Sequence, residues 1–362
     1  MNRSAGLGVV YAGMLFGLIG GGITHAADTP GAVLAWGWNA HGQCTVPDPN
    51  VHFVEISAGG QHSLGLQSDA TVVGWGDDGY GQCTVPAPNA DFVAVSAGYD
   101  HSMGLAMNGS VVAWGANSSG QCNVPTPNRD FVQISAGFSH SLGLKADGSV
   151  EAWGWNSFGQ CNVPMPNADF VVVAAGGGFS AGLKVDGSIV AWGWNDLGQC
   201  DVPEPNTGFV ELATGSGHTL ALRADGSIVA WGLVSDGQCN VPPPNADFAM
   251  VGAGGSHSLG LKSDNWTVAW GANGNGQCTV PTPNTSFVAV AGGASHSLGL
   301  KGVDGDLNAD GHVDLGDFDI VADFMSGPET LGLPGFSRAS LDIDWDVDVV
   351  DFARLQVQFT GS

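Results

Sequence analysis

The sequence predicts a mainly β protein: a seven-bladed β-propeller of 39-residue repeats, followed by a small C-terminal α module with two calcium loop–helix units. Three observations predict it. First, one 39-residue unit recurs without insertion. The tryptophan of its AWG stands at Trp36, Trp75, Trp114, Trp153, Trp192, Trp231 and Trp270, and the cysteine of its GQC keeps the same step at Cys44, Cys83, Cys122, Cys161, Cys200, Cys239 and Cys278. A fixed period of roughly 40 residues marks solenoids and propellers. Second, 58 of the 362 residues are glycine and only 12% are charged, which suits short strands and tight turns. Third, 13 of the 34 acidic residues fall after Lys301, an asymmetry that marks a second module. The expected boundaries are 1–27 for a signal peptide, 28–302 for the propeller and 303–362 for the acidic module.

The chain opens with Arg3, an apolar run from Gly8 to Ile19, and then Thr24-His25-Ala26-Ala27. A basic start, a short apolar stretch and small residues at a cleavage point describe a secretory signal peptide. The run is shorter than the ~20 residues that span a bilayer. The mature chain is therefore expected to be exported, without a transmembrane segment, as a secreted, extracellular or cell-envelope protein.

The copy that begins at Val111 gives the expected elements of a unit. Val111-Val112-Ala113-Trp114 is β-branched and aromatic and reads as a strand that Gly115 ends. A loop from Ala116 to Gly120 leads to Gln121-Cys122-Asn123-Val124, read as a short second strand that Pro125 and Pro127 stop. Phe131 to Ser135 alternates and makes the third strand, Ala136-Gly137-Phe138-Ser139 turns, and His140 to Lys145 makes the fourth. Asp147-Gly148 is a hairpin turn into the next copy. Four strands per unit, seven times, is a propeller. The loop after AWG and the turn after AG then share one rim, and the PxPN segment and the DG turn share the other. Leu298 to Lys301 lacks a following AWG strand and Val33 to Trp36 lacks a preceding hairpin partner, so these two are expected to pair and close the ring.

AWGxNxxGQ, followed by VxxxAG and xxHSLGLKxDG, resembles the repeat of the regulator of chromosome condensation family. The shorter GQCxVPxP form is similar to that of the bacterial propeller-type β-lactamase inhibitor proteins. The resemblance covers about 270 residues. It implies the propeller fold, and the inhibitor likeness implies a rim that grips another protein. The nuclear member of the first family is a nucleotide-exchange factor for a small GTPase, a role at odds with a signal peptide and a net charge of −25. Such a charge also repels nucleic-acid phosphates.

Residues kept in every copy are expected to serve the fold. The phased tryptophans and glycines read as packing residues. The seven cysteines are odd in number and lie on neighbouring sheets, so they read as buried thiols, not disulfides or metal ligands. His62, His101, His140, His218, His257 and His296 are one per blade with Phe179 in the seventh place, which predicts a structural hydrogen bond. Function is expected where copies differ. On the rim after AWG stand Trp38 and His41, Asp78 and Tyr80, Trp155 and Phe158, and Trp194 and Leu197, and the AG turns add Tyr99, Asp100 and Phe138. Exposed aromatics on variable loops are candidate interface anchors. The alternative is that Trp38, Trp155 and Trp194 pack on the next blade's loop. Nothing in the repeats has the look of a nucleophile–base pair or a carboxylate dyad, so the protein is expected not to be an enzyme.

In the acidic tail, Asp306, Asn308, Asp310, Asp314 and Asp317 place oxygen ligands at positions 1, 3, 5, 9 and 12 of a calcium loop, with Gly311 at the sharp turn and His312 lending its carbonyl. Phe318, Val321, Ala322 and Met325 then recur at helical spacing. A weaker second copy uses Ser340, Asp342, Asp344, Asp346, Asp348 and Asp351, with Trp345 where glycine is usual. Ca2+ is the expected cofactor. Two loop–helix units in an exported protein resemble a type I dockerin module over Val303 to Phe359. That likeness implies a cohesin-like partner, although Leu315-Gly316 and Val349-Val350 stand where polar recognition residues are usual, and a brace against the propeller is the alternative. Together these readings predict a monomeric exported binding protein whose rim engages a protein or glycan. A secreted-enzyme inhibitor and a subunit of a polysaccharide-degrading assembly are the rivals.

Overall fold

The computed structural model describes residues 31–302. The expected signal peptide and both calcium loops lie outside the described residues. Within them, twenty-one strands form seven antiparallel sheets of three strands each. In one blade the inner strand is Phe131–Ala136, the middle strand His140–Lys145 and the outer strand Val150–Gly154. The small residues at the ends of the inner strands line a central channel.

The expected strand Gln121 to Val124 is absent, so a blade has three strands, not four. The segment's peptide groups are engaged locally. Cys122 N–H donates to Asn117 Oδ1 at 2.9 Å, and Asn123 N–H donates to Gly120 O at 3.0 Å. Pro125 and Pro127 have no N–H to offer a ladder. The outer strand's edge is met by one side chain: Asn128 Oδ1 accepts from Val111 N–H at 2.7 Å, and its Nδ2 donates to Val111 O at 2.8 Å. The last residue of PxPN thus stands in for a strand.

Ring closure is as expected. Ala32–Gly37 completes the sheet of Phe287–Gly292 and His296–Lys301, in register from Ala32 opposite Lys301 to Gly37 opposite His296.

The core lies between blades. Leu142, Leu144 and Val150 of one blade pack with Phe170, Val173, Ala175 and Trp192 of the next. A bulge between Phe131 and Gln133 sends the two to opposite faces of the blade, Phe131 with Ile134 against Met103 and Val111 and Gln133 toward Val173. The Phe131 ring then crosses the middle strand at Gly143, where a Cβ would lie 2.4 Å from it. The glycine in HSLGLK is there to let that ring pass, and Phe131 meets Trp153 at 6.3 Å between centroids.

Candidate binding rim

A buried lattice sets the height of the rim. Each Trp of AWG reaches back to the glutamine of the preceding GQC: Trp153 Nε1 donates to Gln121 O at 2.8 Å. The same carbonyl accepts from Ser141 Oγ at 2.9 Å. The glutamine side chain then turns up into its own loop, where Gln160 Oε1 accepts from Phe158 N–H at 3.0 Å and Gln82 Oε1 from Tyr80 N–H at 2.8 Å. One buried glutamine per blade therefore fixes both the next blade and the rim residue two positions before it. The strict phase of a polar residue at the centre of GQC was the sequence signal for this role.

The histidines make the structural bonds expected of them. His62 Nε2 lies 2.9 Å from Ser102 Oγ, and His140 Nε2 lies 3.0 Å from Ser180 Oγ, each one blade ahead. His296 reaches Ser63 at 3.0 Å and carries the chain of bonds across the closure. Since Ser63 Oγ donates to Gln43 O, the imidazole N–H must donate to the serine. Burial pushes His62, His140, His218 and His296 down to about 3, and His101 and His257 to about 4. They are neutral spacers at physiological pH. Phe179 fills the same slot, and beyond it Thr219 Oγ1 makes a longer bond, 3.3 Å, to Gln199 O.

Inner strands carry polar residues that the sequence reading passed over. Gln133 Oε1 accepts from Val173 N–H at 3.0 Å, and its Nε2 donates to Val173 O at 2.9 Å. Glu55 and Glu211 hold the same place in their blades and accept from Val95 and Val251 N–H at 3.3 and 3.2 Å. Burial raises both carboxyls, Glu211 to about 8 and Glu55 well above its ordinary value. Each acts there as a neutral acid in the position of an amide.

The cysteines are half-buried, where buried thiols were expected. They sit in the loop, not on a strand, and Cys161 Sγ donates to Trp155 O at 3.2 Å. All seven are free, and burial pushes Cys161 up to about 11.

The loops after AWG and the AG turns share one rim, as expected. Ser139 O of a turn accepts from Trp155 N–H of a loop at 2.8 Å, and Tyr99 N–H reaches Gly137 O of the next turn at 3.1 Å. Three aromatic groups form on it. Tyr99 stacks on Phe138 with centroids 4.2 Å apart and planes 26° apart. Phe158 meets Trp155 edge-on at 5.1 Å and crosses the blade boundary to Trp194 at 6.0 Å. Trp38 meets His41 at 5.3 Å, and His41 Nδ1 lies 3.4 Å from Asp77 Oδ1. Trp38, Trp155 and Trp194 are half-buried, Trp38 and Trp155 meeting rings of their own loops and Trp194 the Phe158 ring of the preceding loop, while Tyr80, Phe138 and Phe158 are exposed. Tyr80 joins none of these ring pairs. The sequence reading missed Val234, exposed in the loop after Trp231, because it looked for aromatic rings. Leu197 and Leu233 flank Gly217 and continue the apolar surface toward it.

Among the described residues no three His, Cys, Asp or Glu side chains form a group fit for a metal ion. The model of the regulator of chromosome condensation (RCC1) repeat matches residues 53–82, 92–121, 131–160, 170–199 and 209–238. The chain carries RCC1-type repeats. A search of curated proteins by sequence found no match. In three dimensions the chain is similar to Prp20p from Saccharomyces cerevisiae, with a TM-score of 0.66 at 19% identity over 84% of this chain and 96% of that one. The yeast RCC1 (Prp20) bound to Kap60 gives 0.67 at 18% identity, covering 90% of this chain and 100% of that one. The ectodomain of the Physcomitrella patens receptor kinase CR4 gives 0.56 at 25% identity over 66% and 67% of the two chains. These likenesses establish an RCC1-like propeller. RCC1-repeat propellers are typically binding or exchange-factor proteins, not enzymes.

Proposed function

We propose that the chain is an exported, non-enzymatic binding protein whose rim of AG turns and AWG loops engages a protein partner. The observation that carries this is the run of rings across blade boundaries, Tyr99 on Phe138 and Trp155 to Phe158 to Trp194. Large rigid rings held at a rim by buried hydrogen bonds supply contact area at small entropic cost. The yeast propeller it resembles was crystallised with Kap60 and studied for binding to Gsp1p and histones, which supports a protein-binding role without naming a partner for this chain. Export rests on the signal-peptide pattern. The tail is proposed to bind Ca2+ through Asp306, Asn308, Asp310, Asp314 and Asp317 and to attach the protein to a second partner.

The test is binding by the mature chain to arrayed secreted and envelope proteins and to glycans, beside Phe138→Ser/Phe158→Ser, with calcium and with a chelator. The rim reading expects partners lost by the double variant and kept in chelator. A partner lost only in chelator assigns attachment to the tail, and an unaffected double variant overturns the rim. A tight stoichiometric complex with a secreted hydrolase would mark the protein as an inhibitor.

A further inference from the structure

The aromatic rim has a charge pattern of its own. All six Lys and Arg among the described residues, Arg129, Lys145, Lys184, Arg223, Lys262 and Lys301, stand on the opposite rim. All but Arg129 are pinned there by backbone carbonyls and a ring: Lys145 Nζ donates to Pro127 and Arg129 carbonyls and sits 4.1 Å over the Phe131 ring. The aromatic rim carries Asp77, Asp78, Asp100, Asp196 and Asp236, with no lysine or arginine to answer them.

These carboxylates are interleaved with the rings. The loop that carries Asp77 and Tyr80 is held from below by one buried side chain, since Gln82 donates through Nε2 to Asp77 Oδ2 at 2.8 Å and accepts from Tyr80 N–H. Asp100 follows Tyr99 in the adjoining turn. Partial burial and the charge on Asp77 both push its carboxyl up. His41 Nδ1 lies 3.4 Å from Asp77 Oδ1, and among the described residues no Lys or Arg stands on this rim. Two half-buried carboxylates that repel each other are stabilised by whatever cation comes between them.

The apolar surface is also confined. It runs from the Tyr99–Phe138 stack by Phe158 and Trp194 to the exposed Val234, with Tyr80 apart from it on the loop of Asp77 and Asp78. At the Asp77 end it adjoins the Trp38–His41 pair, and elsewhere the equivalent turn and loop positions hold Gly60, Ser216, Gly255, Ala294 and the run Asn273-Gly274-Asn275. The result is a crescent, apolar along its length and anionic at the Asp77–Asp100 end. A neutral glycan would use the rings and leave the carboxylates unanswered.

We propose that this crescent receives a basic, amphipathic polypeptide segment, with a Lys or Arg side chain at the Asp77–Asp100 pair and apolar side chains along Phe138, Phe158 and Trp194. The proposal rests on the rim reading above and adds the partner's chemistry to it.

The test uses the mature full chain and three short synthetic peptides: alternating Lys and Leu, alternating Glu and Leu, and alternating Lys and Gly. Binding is read by calorimetry at low and high salt. Only the Lys–Leu peptide is expected to bind well. Asp77→Asn/Asp100→Asn should weaken it about tenfold and flatten the salt dependence, and Phe138→Ser/Phe158→Ser should weaken it about tenfold at either salt. Asp147→Asn/Asp186→Asn, on the opposite rim, should leave it unchanged. Equal binding of the Glu–Leu peptide, loss with the opposite-rim variant, or no Lys–Leu binding overturns the proposal. Should arrayed glycans or acidic proteins instead bind in a way that Phe138→Ser/Phe158→Ser abolishes, the rim reading survives and the basic segment does not. If the aromatic variant changes nothing in either experiment, the rim reading itself has failed.

Discussion

On the rim of the DG turns three successive copies repeat one small assembly. Asp147 Oδ1 accepts from Ser149 N–H and Oγ at 2.9 and 2.6 Å, and those bonds hold its carboxyl below the ordinary range. Asp186 with Ser188 and Asp225 with Ser227 do the same. The other rim is built by the same repeat, yet the residue two before the buried glutamine is His41, Tyr80, Ser119, Phe158, Leu197, Asp236 or Asn275 in turn. The difference teaches where selection for folding ends. The glutamine needs only the backbone N–H of that residue, so the side chain above it is free to vary.

The strongest way to break this division is to cross it. Trp153→Ala removes a buried indole that donates to Gln121 O and packs on Phe131, and should cost about 3–5 kcal/mol in urea unfolding. Phe158→Ala on the rim should change stability by no more than about 0.5 kcal/mol. If the two losses were alike, the rim rings would be part of the core and the argument from variation would collapse.

A second contrast concerns variation inside the blades. Glu211 stands where another blade has Gln133, and burial lifts its carboxyl from 4.5 to about 8. The sign follows from linkage. The folded state holds this proton more tightly than the unfolded state. The stability it contributes is therefore full below pH 4.5 and is lost as pH rises through about 8. Glu211→Gln should leave stability at pH 4 nearly unchanged and raise it by about 1–3 kcal/mol at pH 9. An equal gain at both pH values would mean that the carboxyl is not held neutral.

The histidine lattice has the opposite sign. The unfolded chain takes up protons near 6.5 while His140 stays neutral down to about 3, so stability is full above pH 6.5 and falls as pH drops through that window. The natural Phe179 shows that the slot accepts an apolar ring. His140→Phe should cost about 1 kcal/mol at pH 7.5, from the lost bond to Ser180, and lose less than the parent on going to pH 4.5. A variant with the parent's pH slope would show that this imidazole is not shielded.

The period told most of the fold, because a closed ring of identical units leaves few alternatives once seven copies are counted. It also told which strands close the ring, since only two lacked partners. The short second strand was misread because Gln121 to Val124 has strand-like residues, and sequence does not show that Asn128 already occupies the ladder edge. The rim aromatics were legible as departures from the repeat. That Phe158 bridges to Trp194 while Tyr80 stands apart was not, because pairing depends on loop directions that the repeat leaves open. Glu55 and Glu211 were missed because only the fold brings the next inner strand's N–H to them.

The smallest expected effect tests how the invariant half carries the variable half. Cys161 Sγ tethers Trp155 O, and so the loop that presents Trp155 and Phe158. Cys161→Ser keeps a donor at that place and should alter stability by under about 0.5 kcal/mol. Cys161→Ala removes the donor, and the carbonyl can turn to water because the site is only half-buried. Its cost should stay near ~1 kcal/mol, but Trp155 fluorescence should gain mobility relative to the serine variant. The parent thiol, raised to about 11, should alkylate slowly at neutral pH. Rapid modification of Cys161 in the folded protein would mean that the loop opens on its own, and that the rim is not the preformed surface its hydrogen bonds describe.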